Sequence, residues 1–203
     1  MTVRPAAAAS LGAWVAPALL LAGLGIVVLA RAWATRAGVD PLVAGAAFGV
    51  ALAALALAAR KWRGVRAASA VRQLGIGLAF GIVLIGITAA GAAIGGSSIV
   101  PGLGRPAAPF LPWVTITVLV ASAEEALLRG RLFDAVQRAG GMPTALLVTT
   151  LAFAVMHVPL YGWHVVPLDL AVGFALGGLR LATGGIVAPA AAHAVADLAT
   201  WWL

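Results

Sequence analysis

Apolar residues run in long, nearly unbroken blocks separated by short clusters of Arg, Lys, Gly and Pro. A helix needs about 20 mainly apolar residues to cross the ~30 Å hydrocarbon core of a bilayer. That criterion picks out seven blocks: Leu11–Ala34, Pro41–Ala59, Val71–Ile94, Phe110–Arg131, Pro143–Val158, Pro167–Leu181 and Gly185–Trp202. The pattern predicts an all-α fold, a polytopic transmembrane helix bundle of about seven spans. All seven tryptophans fall at or near block ends, as an interfacial aromatic belt requires.

Punctuation between the blocks is equally regular. Gly95 to Pro109 and Pro159 to Pro167 are rich in turn-forming residues and predict loops on one side of the membrane. The fourth helix is expected to run on to Ala139, because Gly140-Gly141 is a natural stop and Pro143 suits the first turn of the next helix. Gly45/Gly49, Gly77/Gly81 and Gly173/Gly177 are small-xxx-small pairs of the kind that let helices approach closely in lipid. Asp40, just before Pro41, is expected to cap the second helix.

Composition agrees with the pattern. The chain is 63% hydrophobic and 9% charged with a mean hydropathy of +1.08, which excludes an ordinary soluble domain. No cysteine is present, so disulfides, thiolate metal sites and a cysteine nucleophile are excluded. The net charge of +7 would suggest nucleic acid in a soluble protein. Here the bases sit between apolar blocks and are the positive-inside signal, so the partner is the lipid bilayer and not nucleic acid.

With the linker Arg60, Lys61, Arg63, Arg66 and Arg72 in the cytoplasm, ten basic residues fall inside and three (Arg31, Arg36 and Arg105) outside. The N-terminus is then cytoplasmic. Arg4 followed by an apolar run resembles a signal peptide, but the run is long enough to span and is expected to remain as the first helix.

Only six acidic residues occur in the chain, and Glu124 and Glu125 are adjacent within apolar sequence. An acid at mid-bilayer costs roughly 2.5–3.5 kcal/mol on insertion scales, so it marks a functional site by default. Glu125 and Arg129, four residues apart, can pair on one helix face. Glu124 lies about 100° further round and is free to face another neighbour, as a general base would. The alternative is that both glutamates merely pair with Arg129 and Arg131.

Phe153 and His157 share a face of the fifth block, and His193 and Asp197 share one in the last. An aspartate accepting from an imidazole N–H would fix the His193 tautomer and leave the other ring nitrogen for chemistry. Counting from Trp113, Glu124 lies roughly 16 Å below one interface, and His193 and Asp197 lie roughly 10–18 Å above the other. These groups can therefore meet near mid-membrane. His164 and Asp169 receive no role, and Asp134 with Arg138 reads as a surface pair.

Taken in order, Glu124-Glu125-x-x-x-Arg129, Phe153-x-x-x-His157 and His193-x-x-x-Asp197 resemble the motifs of the CPBP family. That family includes type II CAAX prenyl endopeptidases and the bacterial Abi proteins of bacteriocin processing and self-immunity. The resemblance covers about residues 110–203 and divides the chain into three N-terminal spans (1–108) and a four-helix catalytic core (109–203), with the active site between the C-terminal helices. It implies an integral, multi-pass endopeptidase, expected in a bacterial plasma membrane, cutting a peptide or protein substrate that is prenylated or bacteriocin-like.

By the same resemblance Glu124 activates water, His157 orients it, and His193 with Asp197 stabilises the oxyanion. Glu125, Arg129 and Phe153 support them. Prenyl endopeptidases carry Asn where this chain has Asp197, and an ionised Asp cannot donate to an oxyanion. Glu124, His157, His193 and Asp197 could also ligate Zn²⁺ with an open position. A metal-free mechanism is the preferred reading, and oligomeric state is left open. Two other classes compete: a catalytically inactive scaffold or immunity partner, and an ion-coupled transporter, against which the lack of repeated halves counts.

Overall fold

A computed structural model describes residues 11–58, 67–95 and 108–202. The basic linker 60–66 and most of the loop expected at 95–109 lie outside the described residues. The described chain is all-helical, with no strand. After a short 3₁₀ turn at Leu11–Trp14 come α1 (Val15–Arg36), α2 (Pro41–Leu57), α3 (Ala67–Gly95) and α4 (Phe110–Glu125). A π-helical stretch, Ala126–Leu132, joins α4 directly to α5 (Phe133–Tyr161). A 3₁₀ turn at Trp163–Val165, α6 (Val166–Thr183) and α7 (Val187–Ala199) complete it.

Local chemistry explains the boundaries. The Asp40 carboxylate accepts from the backbone N–H groups of Leu42 and Val43 at 2.9 and 3.1 Å, with Pro41 in the first turn of α2. Gly141 adopts φ 84°, ψ 173°, which breaks α5 at the expected Gly-Gly stop. Gly184, at φ 71°, ends α6 in a left-handed cap.

Helix contacts follow the small-residue pairs. A Cβ on Gly77 would strike the Ala188 carbonyl, and one on Gly81 would lie 2.7 Å from Val195, so α3 rides directly on α7. Gly45 and Gly49 admit Ile116, Leu119 and Val120 of α4 against α2. Gly173 and Gly177 admit Thr150, Phe153 and Leu146 of α5 against α6. Where lipid replaces water outside, such close van der Waals contact is what holds helices together. A buried cluster joins Leu24 and Val28 of α1, Phe48 and Leu52 of α2, and Leu127, Leu132, Phe133 and Phe153 further along.

Large apolar side chains such as Leu19, Ile26, Leu29, Ile82 and Phe174 face outward. By length and composition, three described helical segments can cross a membrane: Leu11–Arg36, Phe110–Tyr161 (52 residues, broken at Gly141) and Trp163–Thr183. Pro41–Leu57, Ala70–Gly86 and Val187–Ala199 are apolar but shorter than a full span. At one end, Phe110 and Trp113 of α4 stack with Trp201 and Trp202, Trp113 and Trp201 with ring centroids 4.8 Å apart.

Candidate active site

The α4–π junction supplies the carboxylates. Glu124 and Glu125 end α4, and the next seven residues adopt i→i+5 geometry, the kind of local widening that recurs at functional sites. Nothing in the apolar pattern signals this change. Arg180 of α6 stabilises it, donating from Nε–H to the Arg129 carbonyl at 3.0 Å. Asp134 faces Arg180 at 3.4 Å, so the Asp134–Arg138 surface pair expected from the sequence does not form. Arg180 reaches Asp134 because α6 packs beside α5, which overrides the local i,i+4 option.

Glu125 is fully buried, and one of its oxygens serves two partners. Its Oε1 accepts from Arg129 Nη1 at 2.9 Å and from His193 Nδ1–H at 3.0 Å. The Arg129 Nη2 group donates to the Gly173 carbonyl at 3.0 Å, and its guanidinium covers the Phe153 ring at 4.7 Å. A carboxylate engaged by a guanidinium can only accept, so the proton of this bond belongs to His193 Nδ1. Glu125, not Asp197, therefore orients the ring. Asp197 lies at the other nitrogen, its Oδ2 3.5 Å from His193 Nε2, because the i,i+4 geometry of α7 places it on the side away from Glu125.

Glu124 occupies a different environment. It is buried, has no hydrogen-bond partner among the described residues, and its Oε2 lies 3.8 Å from His193 Nε2. Adjacent in sequence, the two glutamates thus address opposite edges of one imidazole. Phe153 forms the floor between the histidines, edge-on to His157 at 4.9 Å and to His193 at 5.4 Å.

His157 is faced by a residue the sequence left without a role. Its Nδ1 is 3.2 Å from Asp169 Oδ2, reaching from α5 to α6 across the turn at Gly162. Asp169 lies in the first turn of α6, twelve residues beyond His157 in the chain, and no periodicity links them. Both imidazoles therefore present Nδ1 to a carboxylate, His193 in a hydrogen bond and His157 in an ion-pair contact without hydrogen-bond geometry. His164, also left without a role, stays exposed in the turn.

The zinc set read from the sequence does not fit this arrangement. His157 and His193 each turn Nδ1 to a carboxylate, which leaves both Nε2 atoms free, so metal binding rests on where the four donors lie. Among the described residues, no group of three or more His, Cys, Asp or Glu side chains is disposed to hold a metal ion.

Residues 106–199, which contain every one of these groups, match the family model described as type II CAAX prenyl endopeptidase Rce1-like. Through this segment, a little under half of the chain, the protein is similar to the CAAX protease (CPBP) family. No curated protein and no solved structure matches it. With the apolar helices, the match makes this an integral membrane protein carrying a CAAX protease-like enzyme core.

Proposed function

We propose that the protein is an intramembrane endopeptidase that hydrolyses a peptide bond near the C-terminus of a prenylated or similarly lipid-anchored substrate. The machinery lies within 109–203, while α1 to α3 brace it. The observation that carries this reading is the split between the two glutamates. Glu125 is hydrogen-bonded to Arg129 and His193, whereas buried Glu124 makes no hydrogen bond among the described residues and only approaches His193 Nε2 at 3.8 Å. A structural ion-pair network has no need of the second carboxylate, but a general base does.

In this mechanism Glu124 accepts a proton from water while His157 Nε2 accepts a hydrogen bond from the other water hydrogen. The water oxygen bonds to the scissile carbonyl carbon, and the carbonyl π pair moves onto oxygen. His193, in its doubly protonated form, donates from Nε2 to that oxyanion, with Glu125 holding Nδ1 and the nearby Asp197 carboxylate favouring the charged ring. Glu124 then passes its proton to the leaving amine as the C–N bond breaks, yielding a carboxylic acid and an amine. Excess Arg and Lys in the second interhelical linker favours a cytoplasmic N-terminus.

The test is direct. Purified protein in detergent is incubated with farnesylated peptides ending in C-a-a-X, and products are identified by mass spectrometry. Wild type is expected to release a short C-terminal peptide, whereas Glu124→Gln and His157→Ala, both folded, release none. Equal cleavage by all three sinks the mechanism. Silence of the wild type across prenylated and non-prenylated tails favours a scaffold.

A further inference from the structure

Arg31 is an unexplained cation. It sits within the apolar span Leu11–Arg36, five residues before the end of α1. All six acidic side chains of the chain are described and engaged elsewhere. Asp40 caps α2, Asp134 faces Arg180, and Asp169 faces His157. Glu124, Glu125 and Asp197 surround His193. Arg31 has no carboxylate of its own, and a guanidinium stays charged at any ordinary pH.

Its placement is specific. Rather than snorkelling past the helix end, where Arg36 already bonds the Pro159 carbonyl at 3.0 Å, Arg31 turns over the buried ring of Phe48 at 4.5 Å. The ring face satisfies part of the charge but accepts no N–H hydrogen bonds of ordinary strength. Helices α1 and α5 run parallel, with Trp14 against Gly140 at one end and Arg36 on Pro159 at the other. Five residues below that second contact, about 7.5 Å, Arg31 is level with the turn Phe153–His157.

Resting on the endopeptidase reading above, we propose that Arg31 binds the C-terminal carboxylate of the substrate and so selects for a free chain end. A C-a-a-X tail ends three residues after its lipidated cysteine, and three extended residues reach ~10 Å. A bond cleaved within that tail therefore lies within ~10 Å of the terminal carboxylate. Guanidinium is the side chain best matched to that group, through two parallel N–H···O bonds. Arg31 is then a specificity residue contributed by α1, outside the segment that matches the protease family.

The experiment compares one farnesylated C-a-a-X peptide as the free acid and as the C-terminal amide. Wild type is expected to prefer the acid by about tenfold to a hundredfold in kcat/KM, the size of a charge-assisted hydrogen bond. In Arg31→Gln that ratio falls to about one, and Arg31→Lys keeps part of it. A wild type indifferent to the amide, or an Arg31→Gln protein that keeps the ratio, overturns the proposal while leaving the endopeptidase reading intact.

Binding of both peptides to the Glu124→Gln protein reads the same preference without turnover. Failure of the hydrolysis reading is thereby distinguished from failure of the Arg31 assignment. A lipid phosphate could also neutralise Arg31, and nanodiscs of phosphatidylcholine or phosphatidylglycerol separate the sources. If Arg31→Gln alters only thermal stability, and only in phosphatidylglycerol, the counter-ion is lipid and the proposal fails.

Discussion

His193 on α7 donates from Nδ1 to Glu125 on α4 across 3.0 Å of buried interior, onto the oxygen that Arg129 also engages. One carboxylate oxygen thus ties the last helix to the fourth. With Arg129 bonding Gly173, the sixth is included as well. Removing one member of a buried ion pair leaves an uncompensated charge, which costs about 3–5 kcal/mol, whereas replacing both by apolar groups can be near neutral. Glu125→Ala and Arg129→Ala are each expected to destabilise the fold by about that amount. The double replacement Glu125→Leu/Arg129→Leu should lose much less than the sum. Thermal unfolding in detergent measures all three, and simple additivity contradicts the pairing.

Glu124→Gln separates chemistry from structure. The amide keeps the shape of the side chain and removes only its capacity to take a proton. Because Glu124 anchors no hydrogen bond among the described residues, stability should change by less than about 1 kcal/mol. Loss of a general base lowers turnover by roughly 10²–10⁴. Parallel melting curves and single-turnover hydrolysis read the two effects. Activity within tenfold of wild type excludes Glu124 as the base.

The legible part of the fold was the part governed by local rules. Asp40 before Pro41 capped a helix, Gly140-Gly141 broke one, and the three Gly-xxx-Gly pairs became three helix contacts, because each depends only on near neighbours or on missing side-chain volume. The Glu125–Arg129 pair was likewise visible at i,i+4. What the sequence hid is non-local. Asp169 meets His157 only because Gly162 turns α6 back alongside α5, and Arg180 takes Asp134 from Arg138 for a similar tertiary reason. The π-helical turn after Glu125 has no compositional mark, and the reach of Glu125 to His193 Nδ1, where Asp197 was expected to orient the ring, joins residues 68 positions apart.

The His157–Asp169 pair carries its own prediction. If Asp169 acts by orienting the imidazole, Asp169→Asn should lower kcat by about 10- to 100-fold, the usual effect of losing an orienting partner. In a His157→Ala background the same substitution should do almost nothing, because the group it positions is gone. Four kinetic constants complete the cycle. Multiplicative losses show that Asp169 acts independently of His157.

Metal dependence follows from the donor geometry. Among the described residues, no three of Glu124, His157, His193 and Asp197 are disposed around a point that could hold a metal ion. Hydrolysis by the purified protein should therefore survive prolonged treatment with a strong chelator, and elemental analysis should find no stoichiometric zinc. Loss of activity restored by added Zn²⁺ shows that the side chains rearrange around a metal.

The contact of α3 with α7 tests whether the N-terminal helices matter to the chemistry. A side chain at Gly77 meets the Ala188 carbonyl, and one at Gly81 meets Val195 and the Ala192 carbonyl, the latter one residue before His193. Backbone cannot yield as a flexible side chain can, so Gly77→Val should separate the helices and destabilise the fold by about 3 kcal/mol, at the upper end for overpacking. Gly75 and Gly86, on the same helix, have open space around them, and valine there should change stability by no more than about 0.5 kcal/mol. Gly81→Val is the more informative case. Displacing α7 at Ala192 moves His193 away from Glu125 and Glu124, so turnover should fall more steeply than stability. Melting temperature and kcat, measured on the four variants, resolve this. If Gly81→Val reduces kcat no more than Gly75→Val does, α3 is an anchor with no hold on the site.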